Sequence, residues 1–558
     1  MGASTDQNWS IARRYVAGVG ATAAAVVWVQ AVAFLLRSLG SDAPVAAVEW
    51  TVAVVVAVGV GVSLLPRPWA VTAAAVVGGI GVVIIQTRVP GAWLGALAVP
   101  VVAAGATRGA RWLGSRLPGD VDTVLERRRV LAVIWAVVAL ISVVQTARLS
   151  AFVADRDIDF VVGTTNPFWF KHECLPAYLY AAELSERGVE NLYDPAHYPA
   201  LNPDAAPESR MTGMVVEDPF QYPPQFLLLP RLAITLTNDA SLVRVVWFAI
   251  QATFFVGAFA ALALWVGGAP GRTALWLLPP AFASFPMLYD FQYGQFHLAT
   301  IAVAMLALVA FEKERRALGG FLLSGAVMVK LFPAVLLVVL AVRRQWRALA
   351  WTAGWGVAIT AVAVLVLGTA PFAAFFTHQL PQLASGAAFA FDEVWPDMAD
   401  FVIADNQGVF GLAVKLGVSK SVAAAMARGF GLLVLVLAFA AGRRLEGASR
   451  WTKAVVALGL LGLGSLTSNG AWGDYVPTTA IWLLALVAAP VRVRARWAIP
   501  VAAIAVFQYF LIGTMPVGEW FEPQIMIPAS VVGVLGLLVL FGGAVVAAWD
   551  GGSRSAEG

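Results

Sequence analysis

Residues 313–347 read KERRALGGFLLSGAVMVKLFPAVLLVVLAVRRQWR. Two apolar runs, 318–329 and 331–342, are each shorter than the roughly 17–25 residues a membrane-spanning helix needs. Basic clusters close both outer ends: Lys313, Arg315 and Arg316 before the first run, Arg343, Arg344 and Arg347 after the second. Cytoplasmic loops collect Lys and Arg, so both ends lie on the same face of a membrane. The pair therefore enters as a helical hairpin with Lys330-Leu331-Phe332-Pro333 at its tip, where proline breaks the helix. Irregular backbone at that depth is tolerated only inside protein or against a wet cavity. A lysine at a bilayer centre costs about 2.5–3.5 kcal/mol on insertion scales, which makes Lys330 a functional candidate. Its fixed ammonium suits a lipid-linked phosphate; a snorkelling or carboxylate-paired structural lysine is the alternative.

The rest of the chain agrees with a membrane setting. Of 558 residues, 60% are hydrophobic and 13% charged, against about 45–50% and about 25% in soluble proteins. The mean hydropathy of +0.79 leaves too much apolar surface for water-soluble cores. A single cysteine, Cys174, excludes a disulfide scaffold. The net charge is +4, and no basic stripe interleaved with aromatics points to nucleic acid. Arg13 and Arg14 precede an apolar run without a cleavage pattern, which reads as a retained first helix.

Apolar runs of spanning length recur at 14–37, 46–65, 69–87, 90–107, 130–153, 240–266, 273–289, 295–311, 348–369, 422–441, 452–468, 475–489, 497–514 and 524–548. Segments 223–237 and 407–416 are too short to span. These runs predict an all-α polytopic membrane protein with about 12–14 transmembrane helices and several re-entrant or half helices. Residues 1–129 form four N-terminal helices plus an Arg-rich linker, 130–550 the core, and 551–558 a cytoplasmic tail. Both termini are expected in the cytoplasm, with the chain in the cytoplasmic membrane. The N-terminal helices offer a docking surface for a partner subunit.

Arg13/Arg14 and the Arg108–Arg129 segment are both cytoplasmic, so the fifth helix ends outside. The segment that follows, 154–222, holds 12 of the 33 acidic residues, and a loop this long is usually functional. Loop 370–405 lies on the same face and carries acids but no Lys or Arg. All four histidines fall on or near that face, including His172, His297 and His378. Ionisable chemistry therefore gathers on the outer side.

Five clusters there could carry chemistry. Asp155, Asp157 and Asp159 follow the fifth helix, and a carboxylate among them suits a general base; a solvated loop start is the alternative. Lys330 is the second. The third is Tyr289-Asp290-Phe291-Gln292-Tyr293-Gly294-Gln295-Phe296-His297, read as a polar turn. In it Asp290, Gln295 and His297 could bind a sugar or phosphate and Tyr289 and Tyr293 could stack, unless the segment is only an aromatic belt. Asp405-Asn406-Gln407-Gly408 and Ser468-Asn469-Gly470-Ala471-Trp472-Gly473-Asp474-Tyr475 are outer turns, each alone more often a cap. No paired-His spacing suggests a metal, and carboxylates alone would hold Mg²⁺ or Ca²⁺ loosely. No cofactor is expected.

These residues carry a family resemblance. Tyr180-Ala181-Ala182-Glu183-Leu184 running to Leu192-Tyr193-Asp194-Pro195 resembles a segment of the polyprenyl-phosphate-sugar-dependent glycosyltransferases of the GT-C superfamily, specifically glycosyltransferase family 87. In the family's order follow Tyr222-Pro223-Pro224-Gln225-Phe226-Leu227, Gly294-Gln295-Phe296-His297, Lys330-Leu331-Phe332-Pro333, Asn406-Gln407-Gly408 and Trp472-Gly473-Asp474-Tyr475. The resemblance covers roughly 130–550. The sequence departs from the family at Asp474, usually His, and at His297, usually Asn.

The resemblance implies a GT-C-like helical bundle that moves one sugar, mannose by family precedent, from a polyprenyl-phosphate donor to a glycolipid or glycan acceptor outside the membrane. Asp159, then Asp157, with Glu173 as rival, is the implied base. Lys330, with His297 or Arg210 nearby, would meet the phosphate, and Gln295, Asp290 and Tyr293 would line the donor. His172, Tyr222, Asn406, Gln407, Trp472, Asp474 and Tyr475 are further outer-face candidates. Broken helices also suit a transporter or lipid-sugar flippase, although no repeat relates the halves.

Overall fold

A computed structural model describes residues 149, 152–153, 174–282, 284–473, 475–488 and 523–550. The four N-terminal apolar runs and the boundary at 129/130 lie outside these residues. So do Asp155, Asp157, Asp159, His172, Glu173 and Asp474. The described residues are helical with only isolated bridges, as an all-α polytopic chain requires.

They fall into two compact units. One takes in residues 149, 152–153, 241–253 and 276–282. Its notable feature is Arg244, a buried arginine that no sequence motif singles out. Arg244 donates from Nε to the Val153 carbonyl (2.7 Å) and from Nη2 to the Phe152 carbonyl (2.8 Å). Its guanidinium lies 5.5 Å from the centre of the Phe152 ring. Hydrogen bonds from a charged donor are stronger than neutral ones, and here one cation serves both carbonyls.

The other unit holds residues 174–240, 254–275, 284–473, 475–488 and 523–550 among those described. In chain order the helices are α1 (Cys174–Glu186), α2 (Leu228–Leu236), α3 (Ala240–Val266), α4 (Gly268–Phe282), α5 (Phe285–Tyr293), α6 (His297–Glu312), α7 (Arg316–Val329), α8 (Val335–Val342) and α9 (Trp346–Leu367). After a run of short helical turns over 370–398 come α10 (Ala399–Asp405), α11 (Val409–Lys415), α12 (Lys420–Gly442), α13 (Arg450–Ser465), α14 (Pro477–Val487) and α15 (Pro523–Asp550). The first half of α3 and the end of α4 belong to the unit described above.

Four helices among the described residues are long and apolar enough to cross a membrane: 240–266, 346–367, 420–442 and 527–546. Each falls on an expected run. The runs at 273–289 and 295–311 are cut differently. Pro286 restarts the chain as α5, Gly294 ends it in the left-handed region (φ 63°), and α6 departs at 110°. The polar turn expected at 289–297 is therefore mostly the last turns of a helix. The expected runs 452–468 and 475–489 shorten to 16 and 11 helical residues.

The short hairpin forms as its sequence demands. Helix α7 stops at Val329, and Lys330 turns extended (φ −136°, ψ 136°). A single 3₁₀ turn, Phe332–Ala334, carries Pro333 at its start, where the missing N–H costs nothing, and α8 follows. Helix α7 packs closely on α9 because residue 320 is glycine; a Cβ there would lie 2.7 Å from the Trp351 Cβ. At the base of the hairpin Glu312 accepts from Arg343 (2.9 Å) and from Lys453 (2.6 Å), tying α6, the end of α8 and α13 together.

The acidic stretch 154–222 is not loop throughout. Leu175, Tyr178, Leu179 and Leu184 bury α1, and the chain folds back over it. Glu183, buried on α1, accepts from the Arg187 guanidinium (3.2 Å), the Ser209 hydroxyl (3.0 Å) and the Arg210 amide (3.4 Å). That cluster satisfies a carboxylate whose burial would otherwise be costly.

Candidate active site

The tip of the hairpin opens on a cavity of about 520 Å³, within the roughly 300–1,000 Å³ of small-molecule sites. Tyr222, Gln295, His297, Lys330, Trp472 and Tyr475 all line it, although they come from widely separated parts of the chain. Lys330 Nζ lies 4.1 Å from the centre of the Tyr475 ring and 5.2 Å from that of Tyr222. An ammonium over a π face gains about 0.5–2 kcal/mol, and here two rings hold it at the cavity wall.

His297 opens α6 and is buried between aromatics. Its ring stacks on Phe332 at 5.0 Å and tilts against Tyr475 at 4.8 Å. Both ring nitrogens are buried and neither has a hydrogen-bond partner. A buried polar group in that condition costs free energy, which a ligand group that bonds it recovers.

Gln295 is locked. Its Oε1 accepts from the Tyr222 hydroxyl (2.5 Å), the Tyr178 hydroxyl (3.0 Å) and the Phe296 amide (2.8 Å). The two hydroxyls also meet each other at 2.9 Å, and Gln295 Nε2 donates to Cys174 Sγ at 3.5 Å. Burial pushes the Tyr178 and Tyr222 hydroxyls well above their ordinary value of 10.0, so both stay protonated as donors. Tyr222 is thus pinned by its oxygen while its ring faces Lys330.

Asn406 and Gln407 do not line the cavity; they hold its wall. Asn406 pairs with Trp472 in an antiparallel bridge, donates to the Asn469 carbonyl (2.7 Å), and accepts from Gly408 N (3.0 Å). Gln407 N donates to the Ala471 carbonyl (2.5 Å), and its side-chain amide donates to Ser530 Oγ (3.0 Å) on α15. The cap sequences expected at these two turns therefore serve one joint. Gly473 is small because a Cβ there would sit 2.6 Å from Asp405 Oδ1, and Gly470 because a Cβ would sit 2.3 Å from the Phe389 ring.

Three sequence candidates lie elsewhere. Asp290 and Tyr293 are buried on α5 behind Gln295, where the Asp290 carbonyl accepts from Gln295 N (3.0 Å) and Tyr293 packs on Tyr289 at 4.5 Å. Arg210 does not line the cavity either: its guanidinium pairs with Glu186 (2.7 Å) and donates to the Ile234 carbonyl (3.1 Å). Conversely, Asp218 and Asp405 line the cavity. Asp405 sat in a singled-out turn. Asp218 belongs to none of the singled-out motifs; the one local signal for it is its place four residues before Tyr222.

Among the described residues no group of three or more His, Cys, Asp or Glu side chains could hold a metal. A cation, an unpartnered imidazole, two carboxylates and aromatic walls share one cavity; that set can hold an anionic group and accept a proton.

The model of glycosyltransferase family 87 matches residues 220–468. This span is narrower than the 130–550 expected from the motifs, and it contains Tyr222, Gln295, His297, Lys330, Asn406 and Gln407 but ends before Trp472. No curated protein and no solved structure matches the chain.

Proposed function

We propose, on the match of residues 220–468 to the model of glycosyltransferase family 87, that this chain is a glycosyltransferase that transfers a single sugar from a polyprenyl-phosphate donor to an acceptor hydroxyl at the outer face of the cytoplasmic membrane. The observation that carries this reading is Lys330: an ammonium held by two tyrosine rings beside the open imidazole of His297, at the tip of a hairpin embedded in apolar helices. A phosphate fits that pair, since one group supplies charge and the other a hydrogen bond.

A second feature supports a lipid-linked donor. An apolar groove of about 690 Å³ runs along α7, α8 and α9, lined among others by Val327, Met328, Leu337 and Val357. Val327 and Met328 stand immediately before Val329 and Lys330 on the cavity wall. A donor phosphate at Lys330 can therefore lay its isoprenoid tail in the groove. The outer-face assignment rests on the basic residues at the other end of the hairpin.

In the reaction a carboxylate takes the acceptor proton, the acceptor oxygen bonds the sugar's anomeric carbon, and the bond to the donor phosphate breaks. Polyprenyl phosphate leaves, with its new charge opposite Lys330. The base is one of five outer-face carboxylates: Asp159, Asp157 and Glu173 from the sequence, and Asp218 and Asp405 on the cavity. The sugar is mannose by family precedent.

The experiment is transfer of radiolabelled mannose from polyprenyl phosphate by the purified full chain with membrane lipid extract. Each of the five carboxylates is changed to its amide. Transfer in the unaltered chain, abolished by one of the five while donor binding survives, is expected. Transfer only from a nucleotide-sugar would overturn the donor reading, and full activity in all five variants would overturn carboxylate base catalysis.

A further inference from the structure

Helix α12, Lys420–Gly442, is one of the four described helices long and apolar enough to cross a membrane. Charges mark both of its ends. Lys420 pairs with Asp392 (2.7 Å) and Glu393 (2.6 Å) of the stretch expected outside, and Arg443 and Arg444 follow the other end. Arg428 stands eight residues in from Lys420, about 12 Å along the axis. It is the deepest charged side chain of the four helices, since Arg244 and Arg347 stand within the first five residues of theirs and 527–546 carries none. Arg244 is buried and bonded to two carbonyls. Arg428 is the opposite case: it is exposed, and no hydrogen bond, ion pair or ring contact joins it to the described residues. A charge on the outward side of a spanning helix is costly and is seldom left without a partner.

The surface around Arg428 is graded along the helix. Residues four, seven and eleven positions on share its line, and there Leu432, Leu435 and Phe439 are 67%, 45% and 50% exposed. Toward the outer end the same line carries the small, exposed Ser421 and Ala425. Gly429, beside Arg428, has open space where a Cβ would point. The arginine therefore stands between an apolar stripe below and a shallow recess above. Cα–Cβ bonds tilt toward a helix N-terminus, here the outer end, so the guanidinium rises toward the level of lipid headgroups.

We propose that this face of α12 binds an anionic phospholipid of the outer leaflet, with its phosphate on Arg428 and an acyl chain along Leu432, Leu435 and Phe439. The guanidinium fork matches phosphate oxygens two at a time. A headgroup of net negative charge neutralises the arginine, whereas a zwitterionic one brings its own ammonium against it. A second copy docked through the same face about a two-fold axis would set Arg428 against Arg428. The site stands at the shoulder of the cavity: a Cβ on Gly431 would lie 3.9 Å from Thr467 Cγ2, and Thr467 lines the cavity. The leaflet rests on the outer-face reading; the lipid site itself does not depend on the reaction or on the donor.

The test is photolabelling of the purified full chain in lipid nanodiscs. Phosphatidylglycerol and phosphatidylcholine, each with a diazirine in the acyl chain, are compared at equal amounts, and the label is mapped by peptide mass spectrometry. Phosphatidylglycerol is expected to label 428–439 about tenfold more than phosphatidylcholine, the worth of one charged hydrogen bond. Arg428→Leu should bring the two lipids level there, and Arg428→Lys, which keeps the charge without the fork, should retain part of the preference. Label on the exposed Val362 and Leu365 of α9 should stay unchanged in both variants, which separates loss of the site from loss of the fold. Equal labelling of 428–439 by both lipids in the unaltered chain, or a preference that survives Arg428→Leu, would overturn the site. So would labelling of α9 with none on 428–439 by either lipid, the pattern left when a protein helix covers that face.

Discussion

Glu312→Gln takes away the carboxylate that Arg343 and Lys453 share at the base of the Lys330 hairpin. All three side chains are 13–14% exposed, so their charges are poorly screened. At 2.9 and 2.6 Å each contact has a Coulomb attraction of about 6 kcal/mol at an effective dielectric of about 20, before desolvation is subtracted. Removing one member of a buried pair typically costs about 3–5 kcal/mol, because the remaining charge stays buried and uncompensated. The glutamine carbonyl still accepts one hydrogen bond, so about 3 kcal/mol is expected. Lys453→Met alone should cost less, since Arg343 continues to neutralise Glu312. With both changes only Arg343 is left without its carboxylate, and the loss should fall short of the sum by at least about 1 kcal/mol. Denaturation of the purified chain in mixed micelles measures the four species of the cycle. Additivity within about 0.5 kcal/mol would refute the reasoning, since groups that do not interact behave that way. Glycosyl transfer should fall with Glu312→Gln as well, because α8 carries one arm of the hairpin that presents Lys330.

Lys330→Met should raise the donor KM about 10- to 150-fold, the worth of one charged hydrogen bond, while Lys330→Arg should recover part of it; equal kinetics for both variants would remove the phosphate role. Tyr222→Phe deletes the 2.5 Å bond to Gln295 and should cost about 1 kcal/mol of stability, readable as a lowered Tm. Gly470→Ala drives a methyl into the Phe389 ring and should destabilise by about 1–3 kcal/mol, readable as a lowered Tm. Lys415 donates to the Asn406 carbonyl (2.5 Å) and Ser530 Oγ (2.6 Å), and burial, partly offset by Asp405, pulls its amine from 10.5 down to about 7. Below pH 7 both folded and unfolded chains hold the proton and the burial cost is fully present. As pH rises from about 7 toward 10.5 only the unfolded chain keeps it, so stability should climb by up to about 1.4 kcal/mol per pH unit. That slope, followed by thermal unfolding, should be absent in Lys415→Met.

The hairpin was legible because every cue for it is local: run length, flanking arginines and Pro333. The bend at Gly294 was not, since the runs on either side are apolar enough to be taken as two spans. Glu183 and Arg210 illustrate the limit from the other side. Both sit in an acidic stretch that reads as solvated, yet the structure buries one and pairs the other with Glu186, because α1 is apolar enough to pull the stretch into the fold. Asn406 and Gln407 read as a cap, and their partners, Ser530 and the 469–472 turn, lie too far along the chain for any local pattern to join them.

What the sequence by itself determined is the class of molecule, the broken hairpin with a lysine at its tip, and the family order of the motifs. These follow from hydrophobic length, charge placement and short spacing, which are properties of neighbouring residues. Only the tertiary structure decided which polar groups share a cavity. Tyr222 reaches Gln295 across 73 residues and Tyr178 reaches it across 117, so their meeting depends on how helices pack, not on any nearby residue. The same packing brought Asp218, Asp405 and the wall of Phe391, Trp395 and Trp472 to the lysine's cavity, and turned Arg210 away from it.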